Sequence, residues 1–256
     1  LGAGVETALE RAGAALALSV HRRQSPIKLL FNLRDFPAFA PRYNIAPAQP
    51  VPVIVHEDGL NTVKPMRWGL VPSWAPDPTI GPRMINARAE TITEKPSFRQ
   101  LIKQQRCLVP ANGFYEWRRE GNGGVPVWIH LKNKQPFAFA GLWDTWHDSE
   151  GEALQTFTII TTVANKLLRP IHNRMPVIYD APLARQWLDP RFAPSDAILA
   201  AVLAPFPSDQ MELHDVSFLV NKPEYDRPET LVIYHVELAP STSLPAQLTF
   251  RLPGYL

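Results

Sequence analysis

The sequence predicts a single, mostly β domain of the α+β class, and three observations predict it. From Pro41 onward, short runs rich in Val, Ile, Phe and Trp alternate with turn chemistry, as strands joined by tight corners require. Proline is enriched at 27 residues while glycine is ordinary at 13, which stiffens corners and leaves little room for long helices. Helical periodicity is confined to a few short segments, and no internal repeat or low-complexity linker divides the chain. At 256 residues, 45% of them hydrophobic, the chain can bury a core of its own.

Taken in order, Val5, Leu9, Ala12 and Leu16 recur at helical spacing with no proline before Pro26, so the opening is expected to be helical. This divides the chain into a divergent, helix-like segment at 1–35, a main domain at 36–238 and a tail at 239–256. In the main domain VPVIV and the segment around VKPMRW flank HEDGL, where Asp58-Gly59 marks a turn. RCLVP and VPVWIHL flank REGNGG, and PFAFAGLW pairs with TFTIITTV across HDSEGE, giving three expected hairpins. Two helices follow: PLARQWL, and SDAILAAVL with Ser195 or Asp196 as its cap.

A net charge of +2 announces no nucleic-acid partner. The distribution says more: Arg83, Arg88, Lys95, Arg99, Lys103 and Arg106 face only Glu90 and Glu94 in one window, which fits either phosphate contact or a solvated surface. One cysteine, Cys107, excludes an intramolecular disulfide and a cysteine-rich zinc site. It lies in an apolar strand run and reads as core rather than nucleophile. No stretch approaches the roughly 20 apolar residues of a membrane-spanning helix. The run AGAALALSV follows Glu6 and Glu10, where a secretory signal wants positive charge. These features read as a soluble, cytoplasmic protein. No metal cluster or nucleotide-phosphate loop stands out, so no cofactor and no metal are expected.

Four stretches carry candidate chemistry. In MINARAE, Asn86, Arg88 and Glu90 alternate onto one side of an extended strand, a pattern that a solvent-facing edge strand also produces. In VPANGFYEW, Phe114, Tyr115 and Trp117 surround Glu116; a carboxyl among aromatics loses solvation and its proton affinity rises, unless it is simply a surface Glu between half-buried rings. In PIHNRMPVIY, a proline-stiffened corner sets His172, which titrates near neutrality, and Arg174, whose planar fork suits phosphate. In RYNIAPAQ and MRWGLVPSW, Arg42 and Arg67 could hold phosphates and Trp68 and Trp74 could stack on bases, or the tryptophans could be core.

The segments RYNIAPAQ, MRWGLVPSWA, INARAET, KPSFR, RCLVPANGFYEW, FAFAGLWDTW, TFTIITT, IHNRMPVI and VNKPEYD, in this order from Pro41 to Pro228, closely resemble the SRAP family, named for SOS-response-associated peptidases. The resemblance implies a compact α+β fold around a bifurcated, barrel-like, mostly antiparallel sheet with a few peripheral helices. It also implies a nucleoid-associated, monomeric sensor of abasic sites in single-stranded DNA. Members capture the ring-opened sugar aldehyde through the amine and thiol of a cysteine directly after the initiator Met, and the same cysteine underlies a proposed peptidase role. By motif, Asn86 would orient the sugar or the N-terminal residue, Glu116 would shuttle protons and His172 would assist ring opening. Arg88 and Arg174 would hold flanking phosphates, with Thr161 and the tryptophan-bearing loop as further contacts.

The family's Met-Cys-Gly-Arg opening is not found; LGAGVETALE stands in its place. The expectation is that the true start carries the cysteine. The alternatives are a non-catalytic binder of single-stranded or damaged DNA, and a cysteine-type peptidase using Cys107.

Overall fold

The computed structural model describes residues 17–20, 27–28, 30–33, 37, 39–121, 123–234 and 250–251. Along the chain run strands β1 (Ala17–Val20), β2 (Arg42–Ile45), β3 (Pro50–Glu57), β4 (Leu60–Trp68) and β5 (Asn86–Arg88). Helix α1 (Leu101–Gln104) precedes β6 (Arg106–Ala111), β7 (Gly113–Glu120), β8 (Gly123–Leu131), β9 (Phe137–His147), β10 (Ala153–Val163), β11 (Arg174–Pro176) and β12 (Ile178–Tyr179). Helices α2 (Ala181–Leu188) and α3 (Asp196–Val202) are followed by β13 (Met211–Asp215), β14 (Ile233–Tyr234) and β15 (Phe250–Arg251).

Strands β3, β4, β6, β9 and β10 close into a barrel: β4–β3, β3–β6, β6–β9 and β9–β10 pair antiparallel, and the ring is completed by a parallel junction in which Thr156 and Phe157 meet Arg67 and Trp68. Closure removes exposed edges. Ile54, Leu108, Phe139, Phe157 and Ile160 are fully buried here, each contributing about 1.5–3 kcal/mol by leaving water. A second sheet of five strands, ordered β13-β8-β7-β1-β2, branches from the barrel. The α+β fold with a bifurcated, barrel-like sheet is therefore as the sequence predicts.

The hairpin at Asp58-Gly59 forms as expected: φ values of 50° and 75° place both residues in the left-handed region, the backbone of a type I′ turn whose twist matches the β3–β4 pair. The β9–β10 hairpin also forms. Asp180 caps α2 by accepting from the Leu183 N–H, and Ser195 caps α3 by accepting from Ile198, which settles that cap.

Two expectations are corrected. RCLVP does not pair with VPVWIHL. It becomes β6 in the barrel, between β3 and β9, and the partner of β8 is instead GFYEWRRE, strand β7. Between them lies a single residue, Asn112, where the chain leaves one sheet for the other. Gly113 permits this crossing because a Cβ there would lie 2.2 Å from the Trp128 ring and 2.6 Å from the Ile129 carbonyl. Gly113→Ala is expected to destabilise the fold by about 1–3 kcal/mol through overpacking, measured by urea unfolding; an unchanged midpoint would show the sheets can part there freely.

The helix-like reading of 1–35 is corrected at Ala17–Val20. Ala17–Val20, which follow the helically spaced residues, form a strand inserted between β2 and β7, whose edges pair its backbone on both sides. Ile27 and Phe31 make one helical turn, with the Phe31 N–H donating to Ile27 at 3.1 Å, and both side chains join the core. Residues 1–16, with Val5, Leu9, Ala12 and Leu16, lie outside the described residues, as does the tail apart from Phe250–Arg251.

Arg106 is buried rather than part of a phosphate-facing window. Its guanidinium donates to the carbonyls of Trp187 (2.7 Å), Ile102, Lys103 and Asp189 (2.9 Å each). It thereby ties the ends of α1 and α2 to β6.

Candidate functional site

Strand β10 assembles most of the candidate residues. Along one edge, Ile159 and Thr161 stand in parallel register with Asn86 and Arg88; along the other, Thr161 and Val163 face Pro176 and Arg174 of β11. Register partners project to the same face, so Asn86, Arg88, Thr161 and Arg174 share one surface. Ala87 and Ile160, between them, are fully buried on the opposite side. The alternation in MINARAE is thus the signature of a two-sided strand, paired along one edge with β10.

The charges on this surface are unequal. Arg174 places its fork on Glu90 at 2.7 and 2.9 Å, and its Nη2 also donates to the Thr161 carbonyl at 2.6 Å. That arginine holds the Glu90 carboxyl below its ordinary range. Arg174 is therefore not a free phosphate fork: a phosphate must displace Glu90 or settle beside the pair. Arg88 is exposed, and its side chain makes no hydrogen bond or ion pair among the described residues. His172 is exposed too, with Nδ1 lying 3.0 Å from the carbonyl and 3.2 Å from the N–H of Arg174, so the corner does fix the ring. The side-chain amide oxygen of Asn86, Oδ1, is buried with no donor among the described residues. An unmatched buried acceptor costs about 1–3 kcal/mol, which a ligand N–H would relieve.

Glu116 stands apart, on β7 of the second sheet. It is 6% exposed, and burial pushes its carboxyl up to about 8 against the backbone N–H of Trp117, which acts in the opposite direction. Of the three rings expected around it, one is on its face. Strand alternation sends Tyr115 and Trp117 to the opposite face, where Tyr115 donates to the Tyr43 carbonyl at 2.8 Å and Trp117 to Asn221 at 2.7 Å. Phe114 alone shares the face of Glu116, which is desolvated by the main core. Ala17 of β1 lies opposite Tyr115, the neighbour of Glu116, so the start of β1 stands beside this part of β7. No hydrogen bond or ion pair joins Glu116 to Asn86 or His172 among the described residues.

Two candidates for nucleic-acid contact are structural. Trp68 is 1% exposed, stacks on Phe157 with ring centres 6.2 Å apart, and donates to the Ile85 carbonyl at 2.9 Å; it is core, not a base-stacking platform. Arg42 is held by Asp226 and by Gln49, the latter at 2.6 Å. Asp226 also accepts from the backbone of Tyr43 and Asn44, while the Asn44 amide reaches the carbonyls of Val220 and Lys222 at 3.0 Å each. RYNIAPAQ and VNKPEYD are therefore two halves of one clasp. Their shared polarity was the only hint of it, since the partners are far apart in sequence.

Trp74 is 59% exposed, on a loop pinned from both sides: Val71 donates to Thr156 and Ser73 to Asp144, and Trp146 donates to Ala75, each at 2.8 Å. Half-buried Arg67 lies near Gly81, where a Cβ would stand 3.5 Å from its guanidinium. Thr161 is buried and serves as an acceptor for Arg174. Cys107 is wholly buried and burial raises its thiol pKa well above the ordinary value, so it is the core residue expected and offers no nucleophile.

Sequence comparison sets this arrangement among known proteins. The abasic site processing protein YoqW of Bacillus subtilis is 44% identical over 205 residues, covering 78% of this chain and 91% of that protein. YoaM of the same organism, also named an abasic site processing protein, is 45% identical over 194 residues, 75% of this chain and 85% of that one. A solved structure from Bacteroides thetaiotaomicron is 36% identical, with a TM-score of 0.63 over 70% of this chain and 80% of that one. The profile of the SOS response associated peptidases matches residues 14–223, and with the branched barrel and these relatives it establishes that the chain belongs to the SOS response associated peptidase (SRAP) family.

Proposed function

We propose that this protein processes abasic sites in single-stranded DNA, with Glu116 moving the protons. The observation that carries the reading is a carboxyl kept neutral at pH 7 by burial, on β7 next to the residue that faces the start of β1. Support for the substrate comes from the relatives, which are named for abasic sites.

An abasic sugar opens to an aldehyde. When an amine adds to it, a carbinolamine forms, and loss of its hydroxyl as water leaves an imine; that step needs a proton donor, and the neutral Glu116 carboxyl is one. The proton given to the leaving water is recovered from the nitrogen, so the carboxyl is regenerated. In this reading the amine is one that the protein supplies, the unmatched side-chain oxygen of Asn86 accepts an N–H of the captured group, and His172 assists ring opening. Arg88, with Arg174 beside its Glu90 partner, faces the flanking phosphates, and Trp74 offers a base a stacking surface. The stable ring that the family resemblance implies needs a thiol beside that amine; an amine alone gives a reversible imine.

The test is a denaturing gel after incubation with a single-stranded oligonucleotide carrying one abasic site. A crosslink trapped by borohydride supports imine chemistry, and one that survives without reductant supports a thiol at the site. Arg88→Ala is expected to weaken binding and to reduce the salt dependence of the affinity by about one ion. No crosslink under either condition, with intact binding to undamaged strand, would replace this reading with that of a non-covalent DNA-binding protein.

A further inference from the structure

We propose that His130, Glu212 and His214 form a binding site for one divalent transition-metal ion of the zinc type, with the remaining position open to water. His130 lies on β8, and Glu212 and His214 lie on β13. Glu212 is the direct register partner of His130, and His214 is the partner of Trp128, so all three project from the same face of the second sheet. Their ligand atoms lie within 4.8 Å of one another.

The spacing favours an ion over simple pairing. The Glu212 carboxylate stands 3.6 Å from Nε2 of His130 and 4.0 Å from Nε2 of His214, too far for hydrogen bonds. Ligands about 2.0–2.1 Å from a tetrahedral zinc are roughly 3.4 Å apart, so small side-chain rotations close the set. The His130 ring is also oriented as a ligand would be, since its Nδ1 is 2.9 Å from the Leu131 carbonyl, and donation there leaves the Nε2 lone pair for a metal. Two imidazoles and a carboxylate suit zinc, cobalt or nickel rather than calcium or magnesium. His214 and Glu212 are each about one-third exposed, so an ion can enter from solvent.

The site lies on the opposite face of the sheet from Glu116, which is in register with Val127. Its role is therefore to fasten β13, the edge strand, to β8. The sequence concealed it because the ligands come from strands far apart in the chain.

Zinc alone, titrated into the full chain by calorimetry, is expected to bind at one equivalent. Saturation should raise the unfolding temperature by roughly 5–10 °C at about 100 times Kd. Cobalt in its place should give the visible absorption of a low-coordinate nitrogen and oxygen site. His214→Ala and Glu212→Gln, both partly exposed and expected to fold by circular dichroism, should each weaken binding at least about tenfold, whereas His147→Ala should not. Absence of saturable zinc binding up to about 100 µM, or binding undiminished in both ligand variants, overturns the assignment.

Discussion

Glu116→Gln is expected to make the protein more stable in mild alkali while stopping its chemistry. The folded carboxyl titrates at about 8, whereas the unfolded one takes its ordinary value of 4.5. Between these limits the unfolded chain has released a proton that the folded chain still holds. Wild-type stability is therefore full below the lower value and declines as pH rises, by up to about 1.4 kcal/mol per pH unit, levelling near the upper one. Glutamine keeps the shape without the titration, so the variant lacks this decline. Urea unfolding of both proteins at several pH values between these limits measures the difference, and parallel stability profiles would sink the assignment. In the crosslinking assay, loss of the proton donor should slow imine formation by about 100-fold or more, and the wild-type rate should itself fall as pH passes about 8.

Arg106→Ala should be among the most damaging single changes away from the candidate site. It removes four bonds to backbone carbonyls around α1 and α2, together with the stacking of the guanidinium over Trp187 and Phe192 at 5.7 and 5.6 Å. Those carbonyls are left without their partner in a poorly hydrated place, and a loss of about 3–5 kcal/mol is expected. Arg106→Lys should recover only part of it, because a point charge cannot span four acceptors. Urea unfolding gives the magnitude; a loss below about 1 kcal/mol would mean that water replaces the guanidinium. The salt dependence of DNA binding should not change, which separates this residue from Arg88.

These two residues show what a linear sequence reveals. Glu116 was legible because its neighbours are strongly apolar, although the particular rings that desolvate it were not: alternation sends Tyr115 and Trp117 away. Arg106 looked like one more cation in a basic window, since nothing local marks the carbonyls that converge on it. The hairpin at Asp58-Gly59 was legible because two left-handed residues dictate the turn. Strand β1 was not, because its conformation is imposed by neighbours distant in sequence. Trp68 and Trp74 have the same composition around them and opposite fates, decided by whether the loop or the strand carries the ring. Arg42 and Arg174 kept their charge but gave it to Asp226 and Glu90, partners that spacing alone could not select.

The place of β1 between β7 and β2 in the second sheet has a consequence for biogenesis. Its partner β2 is made soon after it, but β7 emerges only much later, after most of the barrel strands. Until then one flank of β1 offers bare amides and carbonyls to any passing chain. Production of this protein should therefore be sensitive to temperature and crowding on the ribosome, and slower translation between β1 and β7, which prolongs that exposure, should lower the soluble yield.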